Sequence, residues 1–166
     1  LGGTDAKGYG KHLFHHWRYL ADGSPNPEFI LNQPPYDRAQ ILLAYRNFGC
    51  GSSRERAPKA LREFGFRAVL APSFGGIFYN NCFRNGIVPV ELDIEAIKAI
   101  RDEVEADAGQ GAVTVDLETL RVTAPGGRSY AFAVPQTLRH MLMEGVDEIA
   151  GTLAMGETIE AYRALD

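Results

Sequence analysis

Two cysteines, Cys50 and Cys82, are all that 166 residues offer. That is too few for a disulfide scaffold, and too few for an iron–sulfur cluster, which takes several thiolates at close spacing. Both read as buried or loop thiols. No apolar run approaches the ~20 residues that a bilayer span requires. The opening Leu1-Gly2-Gly3-Thr4-Asp5 lacks the basic-then-apolar layout of a secretory signal, so a soluble cytoplasmic protein is expected. A basic stripe is also missing: 17 Lys and Arg against 21 Asp and Glu leave a net charge of −4 with the cations scattered, which argues against nucleic acid as a partner. There is no initiator Met at position 1, as expected of a processed or trimmed chain. Repeats, low-complexity tracts and domain-scale linkers are absent, so a single domain over residues 1–166 is expected.

What is present is an alternation of short apolar runs and helical patterns. The first forty residues carry Gly8, Gly10, Gly23, Pro25, Pro27, Pro34 and Pro35, which break regular elements and predict a structured loop region. Ile41-Leu42-Leu43-Ala44-Tyr45 then reads as a buried strand running into a glycine loop. A helix follows over 55–64, with Ala57, Ala60, Leu61 and Phe64 on one face, Pro58 in its first turn and Gly65 as its stop. Arg67 to Ala71 predicts a second buried strand, closed by Pro72 with Ser73 as the cap of a helix covering Ile77 to Arg84. Gly86 ends that helix in the left-handed conformation, and Ile87 to Leu92 forms a third strand, with Pro89 favouring an edge or bulge. This order predicts parallel pairing with right-handed crossovers.

Beyond Leu92, Asp93 caps a helix bearing Ile94, Ile97, Ile100 and Val104. Ala112–Leu117, Leu120–Thr123 and Ser129–Ala133 alternate as antiparallel strands around turns. Pro135 to Glu144, stopped by Gly145, and Ile159 to Leu165 read as helical. The fold class is α/β, one domain with an antiparallel annex.

The chemistry concentrates in Asn47-Phe48-Gly49-Cys50-Gly51-Ser52-Ser53-Arg54-Glu55. A glycine turn that leaves a buried strand and opens a helix aims unpaired N–H groups and the positive helix end at one point, which is an anion site. The spacing lacks the lysine of a phosphate loop and the third glycine of a dinucleotide fingerprint. Arg54 can grip a carboxylate bidentately, Ser53 can add a hydrogen bond, and Ser52 is then held beside the neighbouring carbon. The structural alternative is that Ser52 or Ser53 caps the helix, Glu55 closes a capping box and Arg54 is solvated. His12, His15, His16 and His140 are dispersed, so a hydrolase triad requires tertiary proximity. If Ser52 is a base, its alkoxide needs the loop N–H groups and Arg54 for stabilisation, and a Lewis acid must come from a partner.

With Ala71-Pro72-Ser73-Phe74 and Ile77-Phe78-Tyr79-Asn80-Asn81-Cys82-Phe83-Arg84-Asn85-Gly86, this loop resembles the small subunits of 3-isopropylmalate dehydratases. The likeness runs from Gly8-Tyr9-Gly10-Lys11 through Trp17-Arg18-Tyr19-Leu20, Asn26-Pro27 and Leu31-Asn32-Gln33-Pro34 to the region of Leu153 and Tyr162. It implies an aconitase-type swivelling β/β/α domain, a mixed sheet flanked by helices with the antiparallel annex. It also implies a large aconitase-like subunit as partner, carrying a [4Fe-4S] cluster, with no cofactor bound by this chain. The implied reaction isomerises 2-isopropylmalate and 3-isopropylmalate in leucine biosynthesis, with a small dicarboxylate as substrate. By motif position, Ser52 resembles the catalytic base and Ser53, Arg54 and Gly51 the carboxylate-binding residues, while Cys50 is not implied as a cluster ligand.

The chain departs from the pattern in three places. Arg56 follows Glu55 where the family usually has His. Gly75-Gly76 stands where Ala-Asp is usual, which removes a carboxylate and loosens the helix start by ~1 kcal/mol per glycine. The family's N-terminal strand, with its Asp-Thr-Asp motif, is expected upstream of residue 1. Leu1-Gly2-Gly3-Thr4 falls where the resemblance implies the family's substrate-recognition loop, making Gly2, Gly3 and Thr4 substrate-binding candidates. A methyl- or dimethyl-malate or a homoaconitate-like acid is the alternative substrate, since one methylene is worth only ~1–3 kcal/mol. A carboxylate-binding module without catalysis is the rival from another class. Phe78, Tyr79 and Phe83 read as core. Asn80 and Asn81 read as interface or structural residues, and Phe14, Trp17 and Tyr19 suit either core or a partner surface.

Overall fold

A computed structural model describes residues 8–51 and 55–144. The chain divides into two compact units, Leu1–Ala133 and Val134–Asp166. In the first, the segment ahead of the sheet holds 3-10 turns at Gly10–His12, Ile30–Asn32 and Tyr36–Arg38 and a single helical turn, α1 (His15–Arg18). Polar side chains organise it in place of periodic burial. Asn32 Nδ2 donates to the carbonyls of Arg18 and Asn26, both at 2.8 Å, and Asn26 Nδ2 donates to that of Trp17 at 3.0 Å. Leu13 and Leu31 anchor the segment in the core.

Three parallel strands follow, β1 (Ile41–Leu43), β2 (Ala68–Ala71) and β3 (Val88–Glu91), in the order β1-β2-β3. The register pairs Ile41 with Ala68 and Ala68 with Val88. Every residue of β2 is buried, as expected of a central strand covered on both faces. Pro89 lies in β3, which has β2 as its one neighbour among the described residues; an edge position tolerates its missing N–H.

The crossovers are α2 (Arg56–Phe64) and α3 (Gly76–Arg84). The first buries Pro58, Ala60 and Leu61, and Glu63 on it accepts from the N–H groups of Gly10 and Gly8 at 2.8 and 3.1 Å. Those bonds, Gly10's foremost, hold the Glu63 carboxyl below the usual carboxylate range. The second buries Phe78, Asn81, Cys82 and Phe83. It ends as expected, with Gly86 at φ 66° and the Ile87 N–H reaching back to the Cys82 carbonyl at 2.9 Å, the bond pattern of a left-handed helix stop.

Next comes α4 (Ile94–Ala106), which buries Ile97 and Ile100. Asp93 stands at its N-cap but makes no side-chain capping bond. The annex is a separate antiparallel sheet, β4 (Thr114–Asp116), β5 (Arg121–Thr123) and β6 (Ser129–Ala131), in the order β4-β5-β6. Its first turn is closed by Asp116 Oδ1, which accepts from the N–H groups of Glu118 and Thr119 at 2.7 and 3.1 Å. Glu103 on α4 joins the far turn, accepting from the Gly126 N–H at 2.9 Å. Against β1 lies an apolar cavity of about 710 Å³, walled by Leu31, Ile41, Leu43, Val88, Val104 and Val113 among others.

The second unit holds α5 (Gln136–Glu144); the stop at Gly145 and the helix over Ile159 to Leu165 fall outside the described residues. No helix among the described residues is long and apolar enough to cross a membrane.

Candidate active site

Because β1 and β2 are parallel, the loops that follow them leave from the same carboxyl end of the sheet, where open parallel sheets place their ligands. The Ala44 N–H still donates to the Leu70 carbonyl at 2.9 Å, so pairing runs one residue past β1. The chain then turns at Asn47, which sits at φ 59°, a conformation Asn tolerates better than most residues. The Asn47 N–H donates to Ser73 Oγ at 2.9 Å, and that hydroxyl lies 3.3 Å from Asn47 Oδ1. Phe48 and Phe74 form an isolated parallel bridge: the Phe48 N–H donates to the Ser73 carbonyl at 3.0 Å, and the Gly75 N–H donates to the Phe48 carbonyl at 2.9 Å. A second turn follows, in which the Cys50 N–H reaches the Asn47 carbonyl at 3.2 Å.

Aromatic rings floor this loop. The Phe78 ring, buried in the core, meets Phe48 edge-on at 5.4 Å between centroids and stacks with Phe74 at 6.3 Å. Such pairs each contribute roughly 0.5–1.5 kcal/mol beyond area burial. Gly49, at φ +77°, lies directly on that ring. Gly75 backs the loop from the other side, where a Cβ would stand 2.9 Å from Cys50 Cα and 3.0 Å from the Gly49 carbonyl oxygen.

Of the residues assigned from sequence, Gly51 is exposed with open space where a Cβ would project. Ser52, Ser53 and Arg54 lie outside the described residues, and so do Gly2, Gly3 and Thr4. The capping-box role of Glu55 is corrected. Glu55 is itself the N-cap of α2 and makes no side-chain capping bond; its carboxylate pairs with Lys59 at 3.2 Å, both side chains about half exposed, a contact worth a few tenths of a kcal/mol. No acidic residue occupies the first turn of α2, and Arg56 stands exposed there. The acidic residue at this helix end is thus the N-cap Glu55 itself, its charge shared with Lys59.

Ser73 is also corrected. The N-cap of α3 is Gly75, and the Ser73 hydroxyl serves Asn47 across 26 residues of sequence. The signal that would have found this is topological: parallel strands put the loop after β1 beside the loop after β2.

Cys50 is exposed and Cys82 buried, both as free thiols; burial pushes the Cys82 thiol up to about 12. Tyr79 is raised from its usual value by burial, with the nearby Glu91 charge adding to the effect. Phe78 and Phe83 are core, as expected. Trp17 is 64% exposed and stacks on Phe14, so it projects to the surface. The ring of His15 touches those of His12 and His16, all three on exposed surface. Among the described residues no group of three or more His, Cys, Asp or Glu is placed to hold a metal ion.

Comparison with known proteins agrees with this layout. The family model of the aconitase C-terminal domain matches residues 2–95, and the LeuD_N model matches residues 98–135. The 3-isopropylmalate dehydratase small subunit of Shewanella oneidensis is 50% identical over 159 residues, covering 95% of this chain and 79% of that protein. The protein of the same name from Cupriavidus necator is 51% identical over 161 residues, covering 96% and 77%. A crystal structure of 3-isopropylmalate dehydratase from Methanocaldococcus jannaschii superposes with a TM-score of 0.55 at 25% identity, covering 81% of this chain and 75% of that one.

Proposed function

Because the chain belongs to the family of 3-isopropylmalate dehydratase small subunits, built on the aconitase C-terminal domain, we propose that it is the small subunit of a cytoplasmic, two-chain hydro-lyase interconverting 2-isopropylmalate and 3-isopropylmalate. The carrying observation is identity of about half the residues across 95% of the chain. A hydrogen-bonded turn at the carboxyl end of the sheet supports it, since in sequence that turn runs directly into Ser52-Ser53-Arg54.

In this reading the chain acts as one swivelling domain. Arg54 grips a substrate carboxylate bidentately, helped by Ser53, the Gly51 N–H and the positive end of α2. Ser52, as an alkoxide stabilised by loop N–H groups, takes the proton from the carbon next to that carboxylate while the hydroxyl leaves the neighbouring carbon. The product is an unsaturated diacid. Returning the proton to one alkene carbon and hydroxide to the other, in reverse orientation, completes the isomerisation. Gly2, Gly3 and Thr4 contact the alkyl group.

The described residues of this chain do not fit an iron–sulfur cluster: no ligand trio is gathered, and Cys82 is buried with a thiol held in its neutral form. A large subunit is the proposed holder of a [4Fe-4S] cluster, which when bound supplies a Lewis acid for the substrate hydroxyl and carboxylate.

Assembly with a dehydratase large subunit, followed by absorbance of the unsaturated acid, tests the reading. The isolated chain should be inactive and the assembled pair active. Ser52→Ala should lower kcat on the order of 10²–10⁴-fold with assembly intact. Full turnover by Ser52→Ala, or no activity in any assembled pair, overturns it.

A further inference from the structure

The turn that carries the proposed base is fixed from outside itself. One hydroxyl, Ser73 Oγ, accepts the Asn47 N–H at 2.9 Å and faces Asn47 Oδ1 at 3.3 Å, so both ends of Asn47 are tied to it while its backbone holds φ 59°. The Ser73 carbonyl takes the next N–H, that of Phe48. From Asn47 a hydrogen-bonded turn leads to Cys50, two residues short of Ser52. None of this serves α3, whose N-cap is Gly75 and which has no side-chain cap. The Ser73–Asn47 contacts are exposed, so water can replace them with little effect on folding. Among the described residues this hydroxyl is the side chain that hydrogen-bonds the turn, beside the backbone bonds of the Phe48 bridge and the Phe78 ring beneath Gly49.

We propose that Ser73 is a positioning residue for the dehydration chemistry: its hydroxyl holds Asn47 in the left-handed conformation and thereby sets the direction of the Gly49–Gly51 turn, from which the sequence runs on to the proposed base. The catalytic part of this rests on the Ser52 reading above; the conformational part does not. A displacement of the reacting group by about 1 Å costs on the order of a hundredfold in rate, so a small loosening is enough to be measured.

The two thiols give a readout that needs no catalysis. Cys50 sits exposed in the turn, and Cys82 is buried with its thiol pushed up to about 12, so an aromatic disulfide reagent at neutral pH reports on Cys50. In the full chain, Ser73→Ala should speed Cys50 labelling several-fold with an unchanged unfolding midpoint. Assembled with the large subunit, it should lower kcat about tenfold or more. Ser73→Thr, which keeps the hydroxyl, should restore both. Unchanged Cys50 labelling in Ser73→Ala, or failure of Ser73→Thr to restore it, overturns the proposal. If Ser52→Ala keeps its turnover while Ser73→Ala still speeds labelling, the Ser52 assignment fails and the control of the turn by Ser73 stands.

Discussion

At Gly49 the backbone and a ring compete for the same space. Its φ of +77° is one that side-chain-bearing residues adopt at a cost, and an added Cβ would meet Phe78 Cδ1 at 2.6 Å with Cγ closer still. Phe78 has no room to yield, since it is 2% exposed and sits in the core against Phe48 and Phe74. Gly49→Ala should therefore combine left-handed strain of about 1–2 kcal/mol with overpacking of about 1–3 kcal/mol. Chemical denaturation should show a loss of at least about 2 kcal/mol, and a variant as stable as the parent would sink the account. The glycine was legible in the sequence as part of an anion loop, but its reason was not. Sequence suggests freedom for N–H groups, and the packing adds a ring lying under the turn.

Helix α3 begins on two glycines with different duties. Gly75 is pressed against the Cys50 backbone, whereas Gly76 is exposed and has nothing within 4 Å of where a methyl group would stand. An acidic side chain at Gly76 removes the entropic penalty of glycine, about 0.5–1 kcal/mol, and places a negative charge in the first turn, worth about 0.3–1 kcal/mol. Gly76→Asp should raise stability by about 1 kcal/mol in urea unfolding; a loss would mean that residue 76 has a contact of its own. At this scale the sequence was most readable. The apolar runs at Ile41, Ala68 and Val88 became β1, β2 and β3, and the helical spacing at Ala60 and Leu61 became the buried face of α2. The segment from Gly8 to Gln40 could be read only as structured loop, because its order comes from side-chain amides bonding to carbonyls 6 to 14 residues away. Ser73 escaped for the same reason, its partner lying 26 residues back.

For the whole molecule, the parallel sheet and the antiparallel annex each arise from local patterns, and the candidate site gathers where two parallel loops leave the sheet together. The β1 margin of that sheet has a different character. β1 has a single strand neighbour among the described residues, its Ile41-Leu42-Leu43 run is only partly buried, and the apolar hollow of about 710 Å³ lies alongside. Lysine and proline, the usual guards of an open margin, are absent from Ile41–Leu43. Left uncovered by anything beyond the described residues, such a margin sets a shelf life governed by encounter frequency. Light scattering of the concentrated chain should grow faster than in proportion to concentration, as second-order pairing of strand margins requires; growth in simple proportion would place the weak point elsewhere.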